Sequence, residues 1–422
     1  MGILGILLIL MFCYFISNNK KNINYRTIGV GLALQFLVAF FILKTSIGQN
    51  IFKALGNGIQ KILTFAVDGG NFVFGFLTDR PEKLTEVLGP GADFVFALTL
   101  IPVLIFVMVL VNILYYYGIM QRVILFCGKG MYKLMNITGA EAVSNIASAF
   151  IGQVEAQMLI QPQLKKMTLS QLLASMTGSL ACISGSIMAV YIGMGVPAEY
   201  LLAASFMAAP GALVISKIVY PEAEKIKPEK EISLHTENTG INLIDSIAIG
   251  ASTGLKVALN IIAMIIGLIA LIALFDYCLS LVGAFLVEVL NCPASIGPLN
   301  VKDLSLSGLL GVLFSGFALL LGVPVNEIFT VGSLMGEKLV FNEFIAYLNL
   351  SQLATPLSDK GMIIASFALC GFANFGSIAM QIGGIGELEP SRRKDLAKLG
   401  YKALLCGTLT SYVSAAIAGL LL

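Results

Sequence analysis

The sequence predicts an all-α polytopic membrane protein of about eight transmembrane helices, with two re-entrant hairpins and broken helices in an inverted repeat. Of its 422 residues, 57% are hydrophobic and only 12% are charged, which is too little charge to cover a soluble domain of this size. Six runs carry no charge and approach the ~20 residues that cross about 30 Å of hydrocarbon. They are residues 2–17, 29–43, 94–117, 200–215, 257–275 and 403–422.

Two further apolar runs, residues 180–195 and 362–384, contain glycines and polar side chains. Such interruptions predict broken helices, because irregular backbone at membrane depth is tolerated only beside protein or a water-filled cavity. Residues 50–66 and 115–136 are amphipathic and suit the membrane interface. Residues 305–323 are apolar enough to cross the membrane, so the number of crossings depends on whether this segment is counted as one.

The basic residues lie next to the predicted membrane ends. Lys20, Lys21 and Arg26 follow the first run without an acid, and residues 391–402 place five basic side chains before the last run. An excess of Lys and Arg marks cytoplasmic loops, so we expect both termini outside and an even number of crossings. We expect a multi-pass protein of the cell membrane, the cytoplasmic membrane of a bacterium, with the lipid bilayer as a partner and no nucleic acid.

The sequence contains no recognisable catalytic constellation. Its seven cysteines are scattered, without a CxxC pair or the spacing of metal ligands. A Gly-x-Ser-x-Gly elbow, a His–Glu metal pattern and a phosphate-binding loop are all missing. We therefore predict a protein that is not an enzyme, has no catalytic residues and needs neither a metal site nor a cofactor.

The most polar stretch, residues 216–245, divides the chain and holds its single histidine, His235, which we expect on the surface. Residues 1–135 are predicted to form peripheral scaffold helices and interfacial segments, and residues 136–216 a first transport repeat. Residues 217–256 are predicted as a polar linker with an interfacial helix. Residues 257–323 form a scaffold helix region, and residues 324–422 a second transport repeat with the final helix.

The two predicted repeats show a weak sequence similarity to each other, which we call the sequence echo. Gly152-Gln153-Val154-Glu155 is followed, 30 residues after Glu155, by Gly185-Ser186-Ile187. Asn342-Glu343-Phe344 is followed, 33 residues after Glu343, by Gly376-Ser377-Ile378. Paired interrupted segments at corresponding places indicate the binding site of a transporter.

The first polar tip lies between two short apolar arms, residues 142–151 and 156–160. An arm of about ten residues rises roughly 15 Å as a helix, half the hydrocarbon thickness, which predicts a re-entrant hairpin with its tip near the midplane. Gln153 and Glu155 can face one ligand only if the backbone is irregular there, which Gly152 permits. The alternative is that Glu155 merely caps an interfacial helix.

Glu343 gives a similar signal after a longer arm, residues 325–341. A carboxylate at the centre of a membrane helix costs about 2.5–3.5 kcal/mol on insertion scales, so it indicates a solute site or an ion path; a structural pair with Lys338 is the alternative. Asn374 and Ser377 are three apart and are predicted to share one helix face, which suits a neutral polyol. Packing through small residues is the alternative there.

Several motifs together resemble those of the concentrative nucleoside transporters, in the family's order from about residue 60 to 390. Each motif is weak alone, whereas the set is specific. The motifs are Val67-Asp68-Gly69-Gly70-Asn71-Phe72-Val73-Phe74-Gly75, Gly152-Gln153-Val154-Glu155-Ala156, Cys182-Ile183-Ser184-Gly185-Ser186, Gly336-Glu337-Lys338 leading to Asn342-Glu343-Phe344, and Gly371-Phe372-Ala373-Asn374-Phe375-Gly376-Ser377.

The resemblance implies eight membrane helices, a homotrimer, and a nucleoside site built by two hairpins and two broken helices. It implies that Gln153 and Glu155 hydrogen-bond the nucleobase, and that Val154 and Ile187 pack on it. The ribose end would be formed by Glu343, Asn374 and Ser377, with Phe372 lining the pocket. Carboxylates accept strong bonds from hydroxyls, and an amide both donates to and accepts from a base edge.

Two positions depart from the sodium-coupled members of the family that this chain resembles. Ser148 stands where they carry Asn, and Cys182 stands where they carry Ser or Thr before Ile183. A thiol is a poor ligand for a hard cation. We therefore predict proton coupling with Glu155 as the carrier; sodium bound by Ser148 and backbone carbonyls near Cys182 and Ile183 is the alternative.

The leading hypothesis is a symporter that imports nucleosides by alternating access. A transporter of another small polar solute is the second hypothesis, because Val154 replaces the family's common Thr or Ser. A channel is the third, although a channel would need rings of pore-lining polar residues. Purine and pyrimidine nucleosides both stay open as substrates at this point.

Overall fold

The computed structural model describes residues 1–75, 95–223 and 240–422, which are mostly helical. The helices of the first half are α1 (Gly2–Phe15), α2 (Tyr25–Lys44), α3 (Ser46–Phe74), α4 (Phe96–Tyr116), α5 (Ile119–Met135), α6 (Gly139–Ser148), α7 (Glu155–Met158), α8 (Gln161–Leu164), α9 (Leu169–Ala181), α10 (Gly185–Gly193) and α11 (Ala198–Val219).

The second half begins with the 46-residue helix α12 (Leu243–Glu288). A small antiparallel hairpin follows, β1 (Ser295–Ile296) paired with β2 (Leu299–Asn300). The remaining helices are α13 (Leu306–Leu321), α14 (Ile328–Val340), α15 (Glu343–Ser351), α16 (Asp359–Leu369), α17 (Phe375–Leu388) and α18 (Arg393–Leu420), with 3-10 turns at Lys20–Asn22, Val325–Glu327 and Pro390–Arg392.

Within the described residues, six helical segments are long and apolar enough to cross a membrane: α2, α4, α9 continued into α10, α11, α12, and α18 with the turn before it. Two shorter apolar helices, α1 and α13, accompany them. The prediction of an all-α, multi-pass chain is confirmed at this level. Eight crossings and the cytoplasmic position of the basic loops stay predictions.

The core lies around α18, which packs against α9, α11, α16 and α17. Small residues permit close approach there: a Cβ added to Gly407 of α18 would lie 2.9 Å from Leu180 Cβ. At the periphery α12 packs on α4, where a Cβ at Gly254 would lie 2.6 Å from the Ile105 Cα. The rest of α12 exposes large apolar side chains, as expected for a lipid-facing helix.

The predicted domain borders stay predictions, and they fall at different places relative to the helices: the border between 216 and 217 lies inside α11. The border between 135 and 136 coincides with the end of α5, and that between 323 and 324 follows α13. The border between 256 and 257 falls inside α12, because its helical periodicity starts at Leu243, before the charge-free run. His235 lies outside the described residues.

The described chain contains two helical hairpins and two broken helices. Hairpin 1, residues 139–164, joins α6 to α7 and α8; hairpin 2, residues 328–351, joins α14 to α15. The first broken helix is α9–α10 and the second is α16–α17. In both hairpins the carboxylate of the sequence echo, Glu155 or Glu343, is the first residue of the second arm.

The similar Gly-Ser-Ile sequences of the two broken helices do not occupy equivalent positions, because they are offset by one residue relative to the helix starts. Ser184 caps α10 and Asn374 caps α17, each accepting a hydrogen bond from the backbone N–H three residues on. The helix starts therefore pair Gly185 with Phe375, not Gly185 with Gly376. Cap geometry defines a helix start, whereas a three-residue identity does not.

Candidate functional site

The two broken helices cross at their breaks. The Phe372 N–H donates to the Cys182 carbonyl at 3.2 Å, which links residues 370–374 to residues 182–184. Gly371 has φ +132°, and an added Cβ would lie 2.7 Å from the Ala181 carbonyl oxygen. Only glycine fits this backbone and this approach, so the sequence specifies the crossing at this position.

At this crossing Asn374 performs two tasks. Its Oδ1 accepts from the Ser377 N–H at 2.8 Å, and its Nδ2 donates to Glu343 at 3.2 Å. The prediction that Asn374 and Ser377 share one helix face was wrong, because Asn374 is the N-cap and precedes the helix. The Ser377 hydroxyl is fully buried and has no hydrogen-bond partner within the described chain.

Glu343 is buried, with 6% of its surface exposed, and both its carboxylate oxygens accept hydrogen bonds. Tyr191 Oη donates to Oε1 at 3.0 Å and Asn374 Nδ2 to Oε2 at 3.2 Å. The Tyr191 ring packs on Tyr347 with centroids 4.4 Å apart. The carboxylate is therefore held in one orientation by groups from α10 and the second break.

Lys338 does not pair with Glu343 within the described residues. Its ammonium donates to the Ala368 carbonyl at 2.8 Å and to Ser411 Oγ at 3.3 Å. A direct ion pair with Lys338, the structural alternative for Glu343, is therefore not among the salt bridges of the described residues. Sequence reasoning missed Tyr191; an aromatic one helical turn after Ile187 was the available signal.

The tip of hairpin 1 is non-helical from Ala149 to Val154 and turns at Gly152, where φ is +120°. The Gly185 N–H donates to the Phe150 carbonyl at 3.0 Å, so the tip rests on the start of α10. Ile187, 9% exposed, lies in the first turn of α10 beyond this contact. The predicted irregular backbone at the tip is confirmed.

Glu155 and Gln153 have different surroundings at this tip. Glu155 is exposed, and a Cβ added to Gly152 would lie 2.6 Å from its Oε2. Gln153 is buried, with its Nε2 3.6 Å from Met380 Sδ and its Oε1 without a partner in the described structure. Because Glu155 is also the first residue of α7, a capping role and a ligand role are both compatible with its position.

Of the residues predicted for cation coupling, Ser148 and Cys182 lie near each other, linked through Ala149, the neighbour of Ser148. Ser148 Oγ donates to the Ser144 carbonyl at 2.7 Å and lies 3.0 Å from Ser179 Oγ. Its neighbour Ala149 shares an apolar cluster with Cys182. The side chains of Cys182 and Ile183 are fully buried.

Gln157, which sequence reasoning missed, connects the two arms of hairpin 1 to α9. Its Nε2 donates to Ser179 Oγ at 2.7 Å, and its Oε1 accepts from Ser175 Oγ at 2.6 Å. Ser179 in turn contacts Ser148 on the first arm. A buried amide among serines fastens hairpin 1 by hydrogen bonds, since unsatisfied polar groups at this depth are costly.

A buried ion pair fastens the other end of hairpin 1. Lys217 Nζ lies 2.5 Å from Glu141 Oε1 and also donates to Ser170 Oγ at 2.9 Å. Glu141 Oε2 accepts from the Thr138 N–H and hydroxyl, completing a capping box at the start of α6. The cluster ties α6, α9 and α11 together.

The contacts group the predicted site residues into two clusters along α17. Glu343, Asn374 and Ser377 lie at its start, and Gln153 meets it at Met380. Six residues of helix separate Asn374 from Met380, a rise of about 9 Å. Phe372, partly buried, lies in the break between them and Cys182.

Matches to known protein families cover most of the chain. A family model described as the C-terminus of Na+ dependent nucleoside transporters matches residues 200–419, and its N-terminal counterpart matches residues 4–77. A gate model described as nucleoside recognition matches residues 97–198.

Relatives of similar length extend this finding. The chain is 41% identical over 420 residues to the transporter YutK of Bacillus subtilis, covering 99% of this chain and 98% of that protein. It is 36% identical over 424 residues to the nucleoside permease NupC of Helicobacter pylori, with 99% and 97% covered.

The fold is similar to solved structures of CNTnw. An inward-facing, substrate-bound state superposes with a TM-score of 0.91 at 38% identity, covering 100% of this chain and 97% of that one. A variant in an outward-facing state superposes with a TM-score of 0.92 at the same identity and coverage. The motifs, the site geometry and these full-length matches agree, and the chain belongs to the concentrative nucleoside transporter family.

Proposed function

We propose that this protein imports nucleosides by cation symport, through a site between the hairpin tips and the crossing of the broken helices. The observation that carries the proposal is the orientation of Glu343 by Tyr191 and Asn374. A fixed, buried carboxylate and the unpartnered Ser377 hydroxyl, which both flank Asn374, are suited to binding the hydroxyls of a ribose, because charge-assisted hydrogen bonds are short and strong.

The base would occupy the other cluster. Gln153 offers an unpartnered Oε1 and an amide nitrogen held only by a thioether, a weak acceptor. A base edge with a donor and an acceptor satisfies both groups of this amide. Val154 and Ile187 would supply apolar surface to the base, Phe372 would line the pocket between base and sugar, and Glu155 would bind a base donor.

For the coupling ion we propose the proton, carried by Glu155, whose carboxylate is exposed and has no ion-pair partner in the described structure. Ser148 already binds a carbonyl and Ser179, and Cys182 offers a thiol. The family model's description favours the alternative, sodium, bound by Ser148 and the backbone near Cys182 and Ile183.

Alternating access, two re-entrant hairpins and a homotrimer in the cytoplasmic membrane of a bacterium complete the proposal. The ten-residue arm α6 is about 15 Å long, which would bring its tip to the middle of a bilayer. CNTnw has been solved in inward-facing and outward-facing states, which supports alternating access in a chain of the same fold.

The test is uptake of radiolabelled uridine and adenosine into proteoliposomes. An imposed inward proton gradient without sodium should drive accumulation above equilibrium. Accumulation that needs a sodium gradient at constant pH would replace the proton by sodium, and the absence of saturable uptake under both gradients would reject nucleoside symport.

A further inference from the structure

The tip and the second arm of hairpin 1 lie along one face of α17. Gln153 Nε2 contacts Met380 Sδ at 3.6 Å, Val154 packs on Gly384, and Gln161 Nε2 donates to the Leu388 carbonyl at 3.2 Å. Met380, Gly384 and Leu388 are four residues apart, which places them on one helix face. This face is where the first repeat rests on the second.

Gly384 is the position where the two elements come closest. An added Cβ would lie 2.7 Å and 2.8 Å from the two methyl groups of Val154. Its neighbour Gly383 has no atom within 4 Å of an added Cβ. The two adjacent glycines thus differ in one respect: only Gly384 forms a notch that receives a side chain of the hairpin tip.

A side chain at Gly384 would move the tip and not α17. Gln381 Nε2 donates to the Met176 carbonyl at 3.1 Å, which anchors α17 to α9. Ile378 of α17 also packs closely on Gly400 of α18, since a Cβ added to Gly400 would lie 2.6 Å from the Ile378 Cγ2. Val154 is β-branched and stiff about χ1, so its backbone, and Gln153 with it, would shift by about 0.7 Å to restore ordinary contact at 3.4 Å.

We propose that Gly384 and Met380 are specificity-determining residues, which set the size of the nucleobase by fixing the distance between hairpin tip and α17. This rests on the proposed function. When Val154 packs on Gly384, the Gln153 amide is close enough to bind a pyrimidine, the smaller base. When a side chain at position 384 displaces the tip, a pyrimidine no longer reaches this amide, whereas a purine, which is longer, still does. The Met380 thioether accepts a hydrogen bond from this amide and is a weak acceptor, so a base edge can replace it.

The decisive experiment compares Gly384→Ala with Gly383→Ala as a matched control. In Gly384→Ala the KM for uridine should rise about tenfold, since a sub-ångström misplacement in a site has an effect of this order. The KM for adenosine should change by less than about twofold. Gly383→Ala should leave both KM values at the wild-type level. Equal changes for both substrates, or the same shift in Gly383→Ala, would overturn the proposal.

A double-mutant cycle separates this role from a general folding defect. Val154→Ala removes the methyl groups that the methyl introduced by Gly384→Ala would touch. Adding it to Gly384→Ala should therefore bring the uridine-to-adenosine KM ratio back below that of Gly384→Ala alone. Failure of this rescue, in protein with wild-type thermal stability in detergent, would overturn the proposal. If wild-type protein takes up neither nucleoside, the proposed function and this inference both fall.

Discussion

Hairpin 1 and hairpin 2 present the same carboxylate position in opposite surroundings. Glu343 is buried and both its oxygens accept side-chain hydrogen bonds. Glu155 is exposed at the tip of hairpin 1, and no ion pair of the described residues involves its carboxylate. One carboxylate is held by side-chain hydrogen bonds and the other is not, so the two hairpins would supply one fixed and one adaptable end to the proposed site.

The bases of the hairpins differ as well. Hairpin 1 is fastened by the buried Glu141–Lys217 pair, whereas Glu327, before hairpin 2, accepts from the Ser358 N–H at 2.8 Å and hydroxyl at 3.0 Å without a cation in the described residues. An ion pair ties an element strongly only while both charges are present. The adaptable tip therefore sits on the hairpin whose base depends on charge.

Lys217→Met tests this dependence and should have the largest effect. It leaves Glu141 buried without its cation, which costs about 3–5 kcal/mol, and the melting temperature in detergent should fall by roughly 10 °C. Lys302→Met is the matched control, because the Lys302–Glu288 pair is exposed and contributes about 0–1 kcal/mol. Equal melting temperatures of the two variants would show that the base of hairpin 1 does not depend on this charge.

Glu343→Ala breaks the fixed end. It removes the acceptor of Tyr191 and Asn374 and of the proposed ribose hydroxyls, so kcat/KM for nucleoside uptake should fall about 100-fold. Glu387→Gln, at an exposed position of α17, should retain wild-type uptake. Full uptake by Glu343→Ala, or by the milder Glu343→Gln, would reject the assigned ribose site.

Glu155→Gln sharpens the contrast between the tips. Glutamine keeps the shape and hydrogen-bonding capacity but cannot carry a proton, so uphill uptake driven by a pH gradient should be lost. Exchange of labelled for unlabelled nucleoside should persist with KM raised about fivefold. Glu288→Gln, at an exposed site on α12, should keep gradient-driven uptake. Persistent pH-driven accumulation in Glu155→Gln would remove Glu155 as the carrier.

Gln157→Leu should have the smallest effect. It deletes the amide that fastens the second arm of hairpin 1 to Ser175 and Ser179, at a cost of about 1–2 kcal/mol and a melting temperature roughly 3–6 °C lower. Gln352→Leu, at the exposed end of hairpin 2, should melt as the wild type does. A nucleoside KM raised without a change in melting temperature would instead assign Gln157 to the site.

The sequence predicted the fold class and the tip residues because both depend on local properties. Charge-free runs reveal membrane helices, and Gly152 and Gly371 mark backbone that other residues adopt with strain, which the structure shows at φ +120° and +132°. The assignment of Asn374 to a helix face failed because a cap and an interior position look alike at spacing three. Only the hydrogen bond from the Ser377 N–H tells them apart.

By itself the sequence determined that this chain is helical and belongs in a membrane. It also showed two polar segments, each followed by a glycine-interrupted apolar run, in the same order in both halves. The tertiary structure alone decided which groups meet: Tyr191 on Glu343, Gln157 on Ser179, and Val154 in the notch of Gly384. These partners are between 22 and 230 residues apart in the chain, from Gln157 with Ser179 to Val154 with Gly384. Periodicity reports only on neighbours within a few helical turns, so contacts of that separation are set by how the broken helices cross and pack.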